Sequence, residues 1–395
     1  TQRQGFSETR PHNKAEYKKA LITMNPDFII VGAGVYGTAT AWWLAQRGAS
    51  SIVLDSRDIA TRASGGPGRR GVRANARDKA ELPLMRHAYE LWPQLHEVLE
   101  AKPFYERTGH LLLGETDEDV ARLEAHTQLQ NRFGIETQMV AGTELAALEP
   151  QLSPSVKAAA YCPDDGVANH SATTRAYATA AQRLGVEVRT FTQVAKILVN
   201  GDRAVGVETD TGEQLHAERG VLVLSNSTVA TLLSSWVRLP IWNGCFQVLV
   251  SEPLEVQPVQ HLIGHVRRTI SIKSEGTDRL MLSGGWRGVW DAERQEGEPL
   301  QDQIDGNVRE ALSLYPSLKD LAVDIADTSH QESVTVDGLP IIDQPKGLSN
   351  LWYGTGWCGH GWAIAPVIAE HLASWALGAG RPSLLTPFNA ARFEV

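Results

Sequence analysis

Cysteine is scarce in this chain: three residues in 395, at positions 162, 245 and 358. None forms a CxxC pair or stands at a metal-ligating spacing from histidine, which excludes a disulfide-built scaffold and a zinc ribbon. No metal site is expected, and a reducing, cytoplasmic setting is. Basic excess is lacking as well. Lys and Arg total 37 against 46 Asp and Glu, a formal charge of −9, so the chain carries no footprint for nucleic acid or an anionic membrane. No apolar run approaches the roughly 20 residues that a bilayer-crossing helix needs. Residues 1–25 mix both charge signs without an apolar core or a small-residue cleavage pattern, so they read as a polar extension rather than a secretory signal.

What remains is a composition of 42% hydrophobic and 21% charged residues, long enough to bury two substantial cores. Its most informative stretch is DFIIVGAGVYGTATAWWLAQRGASSIVLD, residues 27–55. Phe28–Val31 is short, apolar and rich in β-branched residues, the pattern of a parallel strand buried on both faces. Gly32 then allows a tight turn, Gly34 lets the backbone approach a pyrophosphate, and Gly37 lets the following helix pack against the strand. The unpaired NH groups and dipole of that helix N-terminus favour an anion. A second strand, Ser51–Leu54, ends in Asp55, whose carboxylate suits a ribose diol. Strand, glycines, helix, strand and acid in this order predict a dinucleotide site.

After Asp55 comes the basic, glycine-rich loop ATRASGGPGRRGVR, followed by an amphipathic helix over about 82–99. A strand is predicted at 109–113, a charged helix at 117–133, a helix through TTRAYATAAQRLG and a strand at GVEVRTF. KILVNGDRAVGVETDTGEQLHAERGVLVLS alternates apolar and polar residues across turns at Asn200–Gly201 and Thr211–Gly212, which predicts an antiparallel meander. From Trp236 to about Ile325 the chain changes character. Strands are predicted at CFQVLVSE and RLMLSGG, with long polar loops, several tryptophans and one helix over 302–314. The chain returns through SVTVDGLPIID to LWYGTGWCGHGWAIAPVIAEHLASWALG, a second strand, glycine turn and helix about 320 residues after the first. A nicotinamide enzyme needs one phosphate loop. Two such turns suit a larger, extended cofactor.

Together these segments resemble the D-amino-acid oxidase and sarcosine oxidase family of FAD-dependent oxidoreductases. The glycine triplet with Asp55, the ASGG loop, LPIWNGCFQVLVSEP and GTGWCGHGW carry the resemblance. It implies an α/β fold: a doubly wound, Rossmann-like FAD domain (26–100, 160–232 and 328–395) interleaved with a substrate domain built on a mixed or antiparallel sheet (101–159 and 233–327). It implies oxidation of a carbon–nitrogen bond in an amine or amino acid by hydride transfer to flavin N5, with O2 or another electron acceptor taking the electrons. FAD contacts are expected from Gly32, Gly34, Val35, Tyr36, Gly37, Asp55, Ser56, Ser64, Gly65, Gly66, Arg69, Arg70, Val194, Gly356, Gly359, His360, Gly361 and Trp362. The expected catalytic set is His360, Arg73, Arg70, Trp286 and Gln247.

The chain also departs from the sarcosine oxidase pattern. Relatives that oxidise N-methylglycine hold its carboxylate between an arginine of the ASGG-type loop and a lysine two residues after GHG, where this chain has Ala363. Arg69, Arg70 and Arg73 therefore have two readings, as one surviving arm of a carboxylate clamp or as cofactor and surface contacts. The lysine that such oxidases set above the flavin aligns with Met281, the nearest lysine being Lys273. That keeps a dehydrogenase open beside an oxidase. His330 stands where monomeric sarcosine oxidases carry the cysteine that bonds the flavin, so non-covalent FAD is expected. His360 reads either as a flavin neighbour or as a turn histidine, and Trp286 and Trp362 either as pocket walls or as core. Alternatives in other classes are the flavin subunit of a hetero-oligomeric dehydrogenase, a hydroxyacid oxidase and a non-catalytic FAD-binding assembly factor. A homo-oligomer is equally compatible.

Overall fold

The computed structural model describes residues 25–63, 66 and 68–394, so the expected N-terminal extension, apart from Asn25, and Ser64 and Gly65 lie outside the described residues. Phe28–Val31 takes an inner position in a six-stranded sheet of order 341–343, 351–355, 220–223, 28–31, 51–54, 187–189. Its strands are parallel except for the antiparallel pair Ile341–Asp343 and Leu351–Thr355. Because strand side chains alternate between faces, each strand divides its apolar residues between two cores. Phe28, Ile30, Val53 and Leu222 face the helices Val35–Gln46, His170–Arg183 and Ala365–Ser374. Ile29, Val31, Ile52, Leu54, Val221 and Val223 instead pack against the meander formed by Val194–Asn200, Arg203–Thr209 and Gln214–His216. The fold is thus α/β, with a Rossmann-like sheet covered by helices on one side and by the predicted meander on the other.

A second sheet has eight strands in the order 323–327, 248–251, 279–283, 271–275, 262–265, 110–114, 158–162, 138–141. All its neighbours are antiparallel except Leu262–His265 beside His110–Gly114. Here too alternation sorts the residues. Leu249, Ile272, Leu280 and Leu282 are buried beneath the helix Gln301–Leu314, in a core with Ala311 and Leu314. Lys273 and Met281 point the other way and meet across the strand pair Ser271–Glu275 and Arg279–Ser283. Met281 reaches the segment at Gly68 and Arg70.

Three local expectations are corrected. CFQVLVSE is two strands: Ile241–Cys245 pairs with Gln331–Thr335, and Val248–Ser251 joins the eight-stranded sheet. Between them Gln247 N donates to Trp286 O and Phe246 bridges Arg287, so the chain pivots there from one sheet into the next. The helix over 82–99 is helical at Leu82–Leu91 and Leu95–Val98 with a 3-10 turn at Trp92–Gln94, where Pro93 brings no NH to the helical ladder. A boundary between 159 and 160 would cut the strand Ala158–Cys162, which belongs to the eight-stranded sheet as one piece. The charged helix, Asp117–Arg132, is fixed by a capping box in which Thr116 and Asp119 satisfy each other's backbone NH groups, a device worth about 1 kcal/mol. No helix among the described residues is long and apolar enough to cross a membrane.

Candidate active site

The first glycine turn is built by backbone crowding. A Cβ on Gly37 would lie 1.8 Å from Gly32 O, and Gly32 itself has φ +112° with Leu224 O 2.9 Å from where its Cβ would stand. Gly34 differs, since a Cβ there would meet nothing within 4 Å. No side chain caps the helix that Val35 and Tyr36 open, so its first NH groups and this open cradle are at an anion's disposal. Asp55 borders the cradle. Ala33 N donates to its Oδ2 at 2.6 Å and Arg57 N to its Oδ1 at 2.9 Å, while burial raises its carboxyl above the ordinary range. Ser56 continues the half-buried bend. Thr192 N donates to Asp55 O, which brings Val194, the first residue of the meander, close to the same strand end.

The second turn is held by side chains. Tyr36 stacks on Trp357 with centroids 3.6 Å apart and planes 8° apart, and its hydroxyl donates to Gly361 O at 2.6 Å. One residue of the first helix thereby fixes a loop 325 positions away. Gly356 and Gly359 have φ +72° and +77°, and Cys358 between them adopts φ +55° without being glycine. Trp362 packs 5.2 Å from His170 and 5.3 Å from Trp92. Burial first, then the nearby Arg70, lowers His170 to about 3, so its ring is neutral.

The basic loop connects the two turns. Arg69 to Val72 is a strand paired with Gly166–Asn169. Arg70 donates to Gly66 O and to Met281 Sδ, near the carboxylates of Asp327 and Glu275, and burial lowers it to about 10. Arg69 pairs with Glu106 at 3.0 Å. Arg73 is half-buried, and desolvation and then Arg77 lower it to about 10. The backbone just after Arg73 is gripped by Asp165, which accepts Ala74 N at 2.6 Å and Asn75 N at 3.2 Å, and Tyr89 OH at 2.5 Å. Lys273 is buried, within electrostatic reach of Arg70 and Arg73, and burial is the main cause that lowers it to about 7.

His360 meets two residues that no sequence motif flagged. Arg77 Nη2 donates to His360 O at 2.6 Å, and Glu81 Oε1 lies 3.3 Å from His360 Nδ1 and 3.2 Å from Arg77 Nη1. The i,i+4 spacing of Arg77 and Glu81, ahead of an amphipathic helix, was their available signal. Two expected catalytic residues are not brought to this cluster. Gln247 sits at the pivot between two strands, and its Oε1 accepts Leu300 N at the start of the helix Gln301–Leu314. Trp286 donates to Thr269 O and lies against Gly306 of that helix. Both serve the far side of the sheet.

These residues fit a flavin dinucleotide. The Gly34 cradle is open where a pyrophosphate would lie, and Trp357 Nε1, Trp362 Nε1 and His170 Nδ1 are buried around the second turn without a partner among the described residues. An open glycine turn, a carboxylate at the next strand end and a distant second loop beside a cationic cluster are the arrangement expected of a flavin-dependent oxidoreductase. The chain belongs to the FAD dependent oxidoreductase family (DAO), whose model matches residues 27–375, and its cofactor is FAD. It is 28% identical to Sarcosine oxidase subunit beta of an Arthrobacter species, over 93% of this chain and 91% of that one. It is 24% identical to N-methyl-L-tryptophan oxidase of Salmonella heidelberg, over 94% and 100%. Among solved structures, L-proline dehydrogenase from P. horikoshii shares the fold with a TM-score of 0.84 at 22% identity, over 94% and 99%.

Proposed function

We propose that this chain oxidises a carbon–nitrogen bond of an amino acid or of a secondary or N-methylated amine to an imine, which water then hydrolyses. The observation that carries this reading is the convergence of Arg70, Arg73 and Lys273 on the cofactor side of the eight-stranded sheet, beside the loop of His360. Bound FAD supplies the hydride acceptor. Arg73, cationic at neutral pH and held by the Asp165 grip on the next two residues, anchors a substrate carboxylate and fixes the carbon beside the amine. Arg70 is committed to Gly66 and Met281 and braces the loop rather than the substrate. The helix N-terminus behind the His360 loop brings positive potential to the place where charge grows during oxidation. Lys273, near neutrality in its proton affinity, sits in the same field and serves the step with O2 or another acceptor.

The test is an anaerobic titration of purified holoenzyme with N-methyl amines, amino acids and hydroxyacids, followed by admission of air. Bleaching of the flavin by one amine class supports the proposal, with fast recovery in air marking an oxidase and slow recovery a dehydrogenase. Bleaching by hydroxyacids alone, or no bleaching, overturns it, the latter in favour of an assembly factor. Arg73→Ala should raise KM for a carboxylate substrate roughly tenfold or more. A second reading makes the chain one subunit of a hetero-oligomer in the cytoplasm, and the name of its Arthrobacter relative supports it. Full turnover by the isolated chain would remove that reading.

A further inference from the structure

The match to the family ends at residue 375, yet residues beyond it are tied to the sheet that carries the second glycine turn. Ile341–Asp343 is the outermost strand of that sheet on one side. Arg381 Nη1 donates to Asp343 Oδ1 at 2.9 Å, Arg381 Nη2 to Ile342 O, and Ala390 N to Asp343 Oδ2 at 2.7 Å, so the strand edge is covered. A further contact reaches inward. Arg392, in the 3-10 turn Ala390–Phe393, donates through Nε to Asp337 Oδ2 at 2.8 Å and through Nη2 to Asp337 Oδ1 at 3.2 Å and to Leu339 O at 2.8 Å. Its planar fork thus grips a carboxylate and a carbonyl at once, with the side chain only 16% exposed. Burial by itself would raise the Asp337 carboxyl, yet the hydrogen bonds from Arg392 and Leu339 N outweigh it and hold Asp337 below the ordinary range.

Leu339 O has two lone pairs, and both are used. Arg392 Nη2 fills one and Thr335 Oγ1, at 2.8 Å, the other. Thr335 is the buried last residue of the strand Gln331–Thr335. With its hydroxyl committed to Leu339 O its χ1 is set, and its methyl lies 2.4 Å from where a Cβ on Gly356 would stand. The Gly356 backbone therefore rests on that methyl. Cys358 rests on the same strand: Thr335 N donates to its Sγ at 3.4 Å, Thr335 Oγ1 is 3.3 Å from that sulfur, and Cys358 N donates to Ser333 O at 3.0 Å. Cys358 holds φ +55°, a conformation that persists in a non-glycine residue where its neighbours over-determine it. Ser333 and Thr335 are those neighbours.

We infer that Arg392 is a positioning residue for the second glycine turn: by holding Leu339 O and Asp337 it fixes the Thr335 side chain on which Gly356 and Cys358 rest, and so sets how firmly the cofactor is retained. The inference goes beyond the amine chemistry and rests only on the second turn bordering FAD. The effect of Arg392 reaches the cofactor through Thr335, along a path in which each group touches the next.

The test is hydrogen exchange read by mass spectrometry on the holoenzyme in excess FAD, wild type against Arg392→Met. Peptides from 351–362 should exchange roughly tenfold faster, while those from 28–46, around the first glycine turn, keep wild-type rates. Unchanged rates in the second turn, or the same acceleration in both turns, overturn the inference, the latter because it marks general loosening. The Kd for FAD should rise roughly tenfold, and an unchanged Kd overturns the inference too. Thr335→Val keeps the methyl under Gly356 and removes the hydroxyl. Because both changes cut one path, the double variant should bind FAD no more than about twofold worse than the weaker of the two single variants, and effects that multiply in full separate Arg392 from the turn. If Arg392→Met does not fold, Asp337→Asn replaces it: the amide oxygen still accepts Leu339 N while the charge pair is lost, and unchanged exchange over 351–362 there overturns the inference. Arg392→Lys, a cation without the planar fork, should recover part of the FAD affinity. No readout uses an amine, so a failed amine titration removes the proposed reaction and leaves this inference to stand or fall alone.

Discussion

The two glycine-rich turns do the same kind of work by different physics. In the first, backbone meets backbone: Gly37 is glycine because the Gly32 carbonyl occupies the place of its Cβ. In the second, Tyr36, Trp357 and Thr335 close around the loop, and a Cβ on Gly361 would touch Trp357 Cβ at 2.7 Å and Tyr36 OH at 2.9 Å. The contact between Gly37 and Gly32 is therefore set within one strand and one helix, although Gly32 also abuts the backbone of Leu224 and Ser225 from a neighbouring strand end. The second turn depends on partners hundreds of positions away.

The largest break in this comparison is expected from Gly37→Val, which forces strand and helix apart; it should abolish soluble, FAD-containing protein, read by expression and flavin absorbance. Gly34→Val should separate binding from folding. A Cβ there meets nothing within 4 Å among the described residues, so the flavin-free Tm should stay within a few degrees of wild type while FAD affinity falls at least about 100-fold, by titration of apoprotein. A Gly34→Val protein that binds FAD normally would remove the cradle from the phosphate site. In the second turn, Gly361→Ala pushes on two side chains rather than on backbone and should cost about 1–3 kcal/mol in denaturant unfolding. Tyr36→Phe keeps the stack on Trp357 and removes one hydrogen bond, for about 1 kcal/mol and faster loss of FAD on dilution.

A pH dependence sharpens the same contrast. His170, against Trp362, titrates at about 3 in the folded chain and near 6.5 when unfolded. Between those values the unfolded chain binds a proton that the folded chain refuses. Stability is therefore intact above pH 6.5 and falls as pH drops toward 3, by up to roughly 1.4 kcal/mol per unit for this one group. His170→Phe should flatten that acid limb in chemical unfolding curves, and an unchanged limb would show that the ring is not buried neutral.

The contrast also explains what was legible in the sequence. Gly32, Gly34, Gly37 and Asp55 follow a local rule, so spacing alone located the first strand, turn and helix, while FAD followed from the resemblance of the whole set of segments. The meander and the helix Gln301–Leu314 were legible for the same reason, through periodicity. Arg77 and Glu81 were missed because their importance lies in His360, a partner that only the fold supplies. Gln247 and Trp286 were assigned to the pocket without knowledge of their partners, Leu300 N for Gln247 and Gly306 for Trp286, which hold both against the helix Gln301–Leu314. Lys273 and Met281 are the instructive pair. They are eight positions apart in the chain, yet the turn at Gly276 folds them into direct opposition, so the distance in sequence said little about the distance in space.

That pair belongs to a sheet whose two sides answer to different demands. Along Arg279–Ser283, Leu280 and Leu282 are committed to the core, while Met281 looks toward Gly68 and Arg70. Across from it Ile272 and Lys273 divide in the same way. Evolution can therefore rewrite the chemistry one alternate position at a time without touching the residues that keep the sheet folded. Such an arrangement behaves as a panel of sockets on a fixed board, in which every second position can be changed while the board stays whole.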